Sequence, residues 1–107
     1  MEKIVISAKV RITLDELVDI LYYDEYFSYK KRAQNYVNNL YDFILTIPTF
    51  RFKTTPDKKY GSYYCSYKHN AKTSWYFLFD IVEYTYFIKN ITNNHSENYV
   101  KFIGNIN

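Results

Sequence analysis

The chain has one cysteine and no apolar stretch approaching the roughly 20 residues that a membrane span requires. Each shortage removes a class of protein. A lone Cys65 cannot form an internal disulfide and is too little for a thiol-rich metal site, so it is expected to pack as a small apolar side chain. No group of ligand residues has metal-binding spacing, so no metal and no organic cofactor is expected. The first residues, MEKIVISAKV, lack the apolar run of a signal peptide, which makes a cytoplasmic protein with no membrane association the expectation. On that expectation the glycosylation-like triplets Asn90-Ile91-Thr92 and Asn94-His95-Ser96 carry no weight. There is no internal repeat and no low-complexity segment. A length of 107 residues with 48% hydrophobic side chains suits one core, hence a single domain over residues 1–107.

What the chain has in excess is tyrosine, at fourteen, and asparagine, at ten. Tyrosines can serve as stacking platforms for bases, but beside so much asparagine, lysine and isoleucine they also read as the codon bias of an AT-rich genome. Charge is unevenly placed. Between Phe50 and Lys72 six cations (Arg51, Lys53, Lys58, Lys59, Lys68 and Lys72) face Asp57 alone, a local +5, which leaves −2 for the rest of a chain whose net charge is +3. Such a cluster is the electrostatic footprint expected for a phosphate backbone, and equally that of a solvated lysine-rich loop.

Alternation over Ile4, Ile6 and Ala8 predicts a short first strand. Thr13 and Glu16 have capping-box spacing, so a helix is expected to begin there, with Leu14, Leu17, Val18 and Leu21 as its apolar stripe, Asp15, Glu16 and Asp19 near its positive end, and an end near Tyr26. Ser28 is placed to cap a second helix, in which Ala33, Tyr36, Val37, Leu40, Tyr41, Ile44 and Ile47 keep helical period until Pro48 stops it. The two helices should pair antiparallel. A charged connector follows, with a short extended piece at Phe50 to Lys53. Three strand-like runs come next, Ser62 to Lys68, Thr73 to Ile81 and Thr85 to Thr92, rich in aromatic and β-branched residues. The breaks at residues 69–72 and 82–84 suit antiparallel hairpins, although neither has an Asn-Gly turn. In the middle run Trp75, Phe77, Phe79 and Ile81 fall on one face, with Tyr76 and Leu78 on the other. A strand apolar on both sides belongs in a sheet interior. The expected fold is α+β: a short N-terminal strand, an antiparallel helical hairpin, then three antiparallel strands forming one sheet with the helices on one face.

This order of elements resembles the RelE/ParE superfamily, the small toxins of bacterial type II toxin–antitoxin pairs, over about residues 4–103. The run SWYFLFDI resembles the family's third-strand pattern. The segment TNNHSENY resembles the polar stretch after the last strand in the YafQ-like mRNA interferases, with Thr92, His95, Ser96, Glu97 and Tyr99 at the matching places. The resemblance implies a toxin that binds the ribosome and cuts mRNA, partnered by a cognate antitoxin covering its basic cleft.

Cutting RNA through its own 2′-hydroxyl needs a base for that proton, an acid for the departing 5′-oxygen and cations for the charge that builds on phosphate. Histidine suits the proton transfers. His95 is the leading acid or base, Tyr99 a stacking and orienting group one helical turn later, and His69 a second histidine one place from its position in that branch. Lys68 and Lys72, with Lys58 and Lys59, are the candidate phosphate ligands. The chain departs from the family where Tyr76 and Asn93 stand at positions commonly arginine, and Ser74 at one that is acidic. With no arginine after Arg51, the alternative is a non-catalytic member of the fold, acting as a ParE-like inhibitor of DNA gyrase or as an interaction protein.

Overall fold

The structure is a computed structural model that describes residues 2–23 and 30–104. Its elements are β1 (Lys3–Ile6), α1 (Ala8–Tyr23), α2 (Lys30–Thr46), β2 (Lys53–Thr54), β3 (Tyr63–Lys68), β4 (Ser74–Val82), β5 (Thr85–Asn93) and α3 (Asn98–Ile103). The α+β class agrees with expectation, but the arrangement corrects it in three respects. The sheet has five strands in the order β1-β5-β4-β3-β2 and is mixed, because β1 lies parallel to β5. The two-residue β2 pairs with Tyr63 and Tyr64 and caps the far edge, sharing only Lys53 with the piece anticipated at Phe50 to Lys53. Finally, α3 packs on the face opposite α1 and α2, so the helices do not share one face.

Helix α1 starts five residues before the expected Thr13. The Ser7 hydroxyl accepts the Val10 amide at 3.2 Å and so caps the helix, while Thr13 turns its own hydroxyl back to the Lys9 carbonyl at 2.9 Å. A serine cap without an acid three residues later leaves a weaker sequence trace than Thr13-x-x-Glu16 does. Asp15, Glu16 and Asp19 therefore sit within the helix rather than at its positive end. Its expected end near Tyr26 and the Ser28 cap lie outside the described residues. The period of α2 is as anticipated: Ala33, Val37, Leu40, Ile44 and the following Ile47 are fully buried. A 3-10 turn, Ile47–Thr49, holds Pro48 where the helix stops. Contacts from Lys30 to Asp19 and from Tyr41 to Asp15 set the two helices antiparallel.

Strand β4 is the centre of the molecule. Trp75, Phe77 and Phe79 meet Val10, Leu14, Val37 and Leu40 beneath the helices, and Leu78 meets Phe102 and Ile103 of α3 on the other side. Removing Phe77 and Phe79 from water stabilises the fold by roughly 1.5–3 kcal/mol each. Strict alternation in β5 would send either Ile88 or Ile91 away from this core. A register shift resolves the conflict: Leu78 faces Asn90 and Phe79 faces Ile88, leaving Lys89 as the extra residue of a bulge. Both isoleucines then pack under the helices, and Asn90 and Thr92 are buried on the α3 side. Cys65 lies in the main core, its thiol pushed up to about 11 by burial.

Two features give stability tests. Gly61 has φ +142°, and an added Cβ would stand 2.9 Å from both Leu78 Cβ and the Phe79 amide nitrogen. Gly61→Ala should lower the unfolding free energy by about 2 kcal/mol or more, read from urea denaturation. Asp80 accepts the Ser62 amide at 2.8 Å and pairs with Lys89 at 3.1 Å. Burial pushes its carboxyl up, but Ser62 and Lys89 outweigh this and hold it below the usual carboxylate range. Because the folded value is the lower one, the stabilisation is complete above the unfolded value of about 3.9 and disappears as pH falls through the folded value. Asp80→Asn should cost about 1 kcal/mol near neutrality and flatten stability against pH below about 4.

Candidate functional site

The site begins with the β3–β4 hairpin. The amides of His69 and Asn70 donate to the Thr73 carbonyl, and the Asn70 side chain accepts the amides of Lys72 and Thr73, each at 2.9 Å. The Asn70 side chain thus closes the turn without glycine. Asn94, just past β5, ties the chain to this turn. Its side-chain oxygen accepts the Ser74 amide at 3.0 Å, its side-chain nitrogen donates to the Lys72 carbonyl at 2.8 Å, and its own amide donates to the Ser74 carbonyl at 3.2 Å. The His95 amide donates to the Asn93 side chain at 2.9 Å, so the backbone on both sides of Asn94 is held.

With this clamp closed, His95 Nε2 and the Thr73 hydroxyl share a hydrogen bond at 3.2 Å. The His69 ring packs on Tyr36 of α2, with centroids 4.2 Å apart, and Trp75 Nε1 donates to the Tyr36 hydroxyl at 2.9 Å. Burial raises the Tyr36 phenol above its ordinary value, against a smaller lowering from Trp75. Both histidines, 26 positions apart in the sequence, line one groove of about 610 Å³. Its other wall is α1, through Leu17, Ile20 and Leu21, and no lysine or arginine is among its described lining residues. Chemically, the groove offers two imidazoles able to divide the roles of proton acceptor and proton donor, beside aromatic surface.

The opposite face of the sheet carries a second assembly. Tyr64, Ser66 and Tyr76 with Arg51 and Lys53 enclose a depression of about 220 Å³. Tyr99 packs against Tyr76 at 5.1 Å between centroids. Burial, aided by the Tyr99 hydroxyl, pushes Tyr76 up to about 12. Close by, Lys59 and Lys101 each stand 5.0 Å from the centre of the Tyr60 ring, and Lys101 above all, with Lys59, holds that phenol below its ordinary value. Aromatic rings interleaved with cations suit stacked bases and phosphates.

The candidate residues therefore divide between two faces. His69 and His95 come together, and Lys68 and Lys72, both exposed, belong to the same hairpin as His69. Tyr99 does not join them: His95 precedes α3, which begins at Asn98, so no helical turn aligns the pair. Lys58 and Lys59 lie in the 3-10 turn leading to Tyr60 and do not line the histidine groove. Tyr36 and Trp75 read as core in the sequence, and their polar atoms face each other at the groove wall. Arg51 and Lys53 were visible only as members of the basic segment. Among the described residues no group of histidine, cysteine and acidic side chains is placed to hold a metal ion. No helix of the described residues is long and apolar enough to cross a membrane.

No protein-family model, curated protein or solved structure matches the chain.

Asn94→Ala removes two side-chain hydrogen bonds that close the site while leaving both histidines in the chain. It should cost about 1–2 kcal/mol in urea denaturation and speed hydrogen exchange of the Ser74 amide, with little change at amides of β5 preceding the bulge.

Proposed function

We propose that the chain is the toxin of a toxin–antitoxin pair and an endoribonuclease acting on ribosome-bound mRNA in the cytoplasm. The observation that carries the reading is the shared groove of His69 and His95. In the reaction one neutral imidazole removes the proton of a 2′-hydroxyl, and the oxygen attacks the adjacent phosphorus. The P–O5′ bond breaks, and the other imidazole, protonated, delivers its proton to the departing 5′-oxygen. The products are a 2′,3′-cyclic phosphate end and a 5′-hydroxyl end, and the two histidines have exchanged protonation states. His95, oriented by Thr73, is assigned the leading role. The face bearing Arg51, Lys53, Tyr64 and Tyr76 supplies sequence-tolerant attraction for the same polymer. A cognate antitoxin is the implied partner.

A second reading is favoured by the aliphatic wall of the groove, where Leu17, Ile20 and Leu21 face the histidines and no lysine or arginine lies beside them. On it the protein arrests growth by binding alone, with gyrase as one such target.

Expression from a tight promoter, with mapping of mRNA ends, separates the two. Under the nuclease reading His95→Ala lowers cleavage by about a hundredfold or more and relieves growth arrest, while the protein remains folded. Growth arrest with intact transcripts, unaffected by His95→Ala, removes that reading and leaves the binding one.

A further inference from the structure

The histidine groove does not end at the histidines. Trp75 and Asn93 line it and also line an adjoining cavity of about 260 Å³, which runs past the first turns of α1 to α3. This cavity straddles the part of β5 beyond Ile88, the last residue that β1 covers. One helix thus walls both: Leu17, Ile20 and Leu21 beside the histidines, Lys9, Val10 and Thr13 at the far end.

At that far end Lys9 is a held cation. Its ammonium donates to the buried Asn90 side chain at 2.7 Å and lies 6.0 Å from the centre of the Phe102 ring. Asn90 is fixed in turn by donating to the Tyr60 carbonyl at 2.6 Å. None of the three ion pairs among the described residues uses Lys9, so no described carboxylate neutralises its charge. Exposed lysines normally lose side-chain entropy on binding, and this one is already oriented. The polar residues Thr13, Thr92, Ser96 and Asn98 line the same space.

We propose that Lys9 is a phosphate-binding residue for a single RNA strand laid along α1, holding a backbone phosphate several nucleotides from the one at the histidines. The inference rests on the RNA reading above. From Lys9 to Leu21 the helix rises about 18 Å, which a stacked strand at about 3.4 Å per nucleotide covers in about five nucleotides.

The test measures binding apart from cleavage. In a His95→Ala background, which keeps the strand intact, a fluorescein-labelled single-stranded RNA octanucleotide and a dinucleotide are titrated by anisotropy at several salt concentrations. Lys9→Ala should weaken octanucleotide binding about fivefold at low salt and make the slope of log K against log salt shallower by about 0.7, the value for one lost phosphate contact on a single strand. Lys9→Arg should restore both, and the dinucleotide should not distinguish the variants. Equal affinity and slope for Lys9 and Lys9→Ala, or no binding of the octanucleotide, overturns the proposal even if His95-dependent cuts appear in cells. Lys9-dependent binding without such cuts supports the phosphate site and removes the nuclease reading instead.

Discussion

The arrangement at the hairpin end depends on the Asn94 side chain. By accepting from Ser74 and donating to Lys72, it joins the segment leaving β5 to the turn between β3 and β4. Two loops that emerge from adjacent strands would otherwise pay separate ordering costs. Joined, they set His95 against Thr73 and leave His69 packed on Tyr36, so that two side chains from distant parts of the chain share one groove. Without that bridge the two loops keep only the Asn94 amide bond to the Ser74 carbonyl and the contact of His95 with Thr73.

The clamp works because the sheet beneath it is in the right register. Strand β4 is buried on both faces and acts as the rigid reference, with helices α1 and α2 on one side and α3 on the other. The bulge at Lys89 adjusts β5 to that reference. It keeps Ile88 and Ile91 under the helices, turns Asn90 and Thr92 toward α3, and brings Asn93 opposite Trp75. The same half-step thus positions the Asn90 amide for Lys9 and delivers the chain to Asn94.

Charge and aromatic surface are distributed over two faces with different chemistry. The groove along α1 joins imidazoles to aliphatic and indole surface, and Lys9 lines the cavity that adjoins it. The open face gathers Tyr60, Tyr64, Tyr76 and Tyr99 with Arg51, Lys53, Lys59 and Lys101. On the proposed reading, proton transfer would be carried by the first set of residues and much of the polymer attraction by the second.

The positions of α2 and of the three long strands were legible in the sequence because burial imposes a period on local residue order: α2 shows it from Ala33 to Ile47, and β4 in the alternation of Trp75, Phe77 and Phe79. The pairing of β1 with β5, the helix α3 with its packing on β4, and the start of α1 were not. The first two join residues far apart in the chain, and Ser7 caps without the acidic partner that would have marked it. His69 and His95 could be chosen singly for their chemistry. That they share a groove while Tyr99 turns to the other face was decided by the tertiary structure, since it follows from the register of β5 on β4 and the side-chain bonds of Asn94, interactions that link positions about twenty residues apart and leave no periodic trace along the chain.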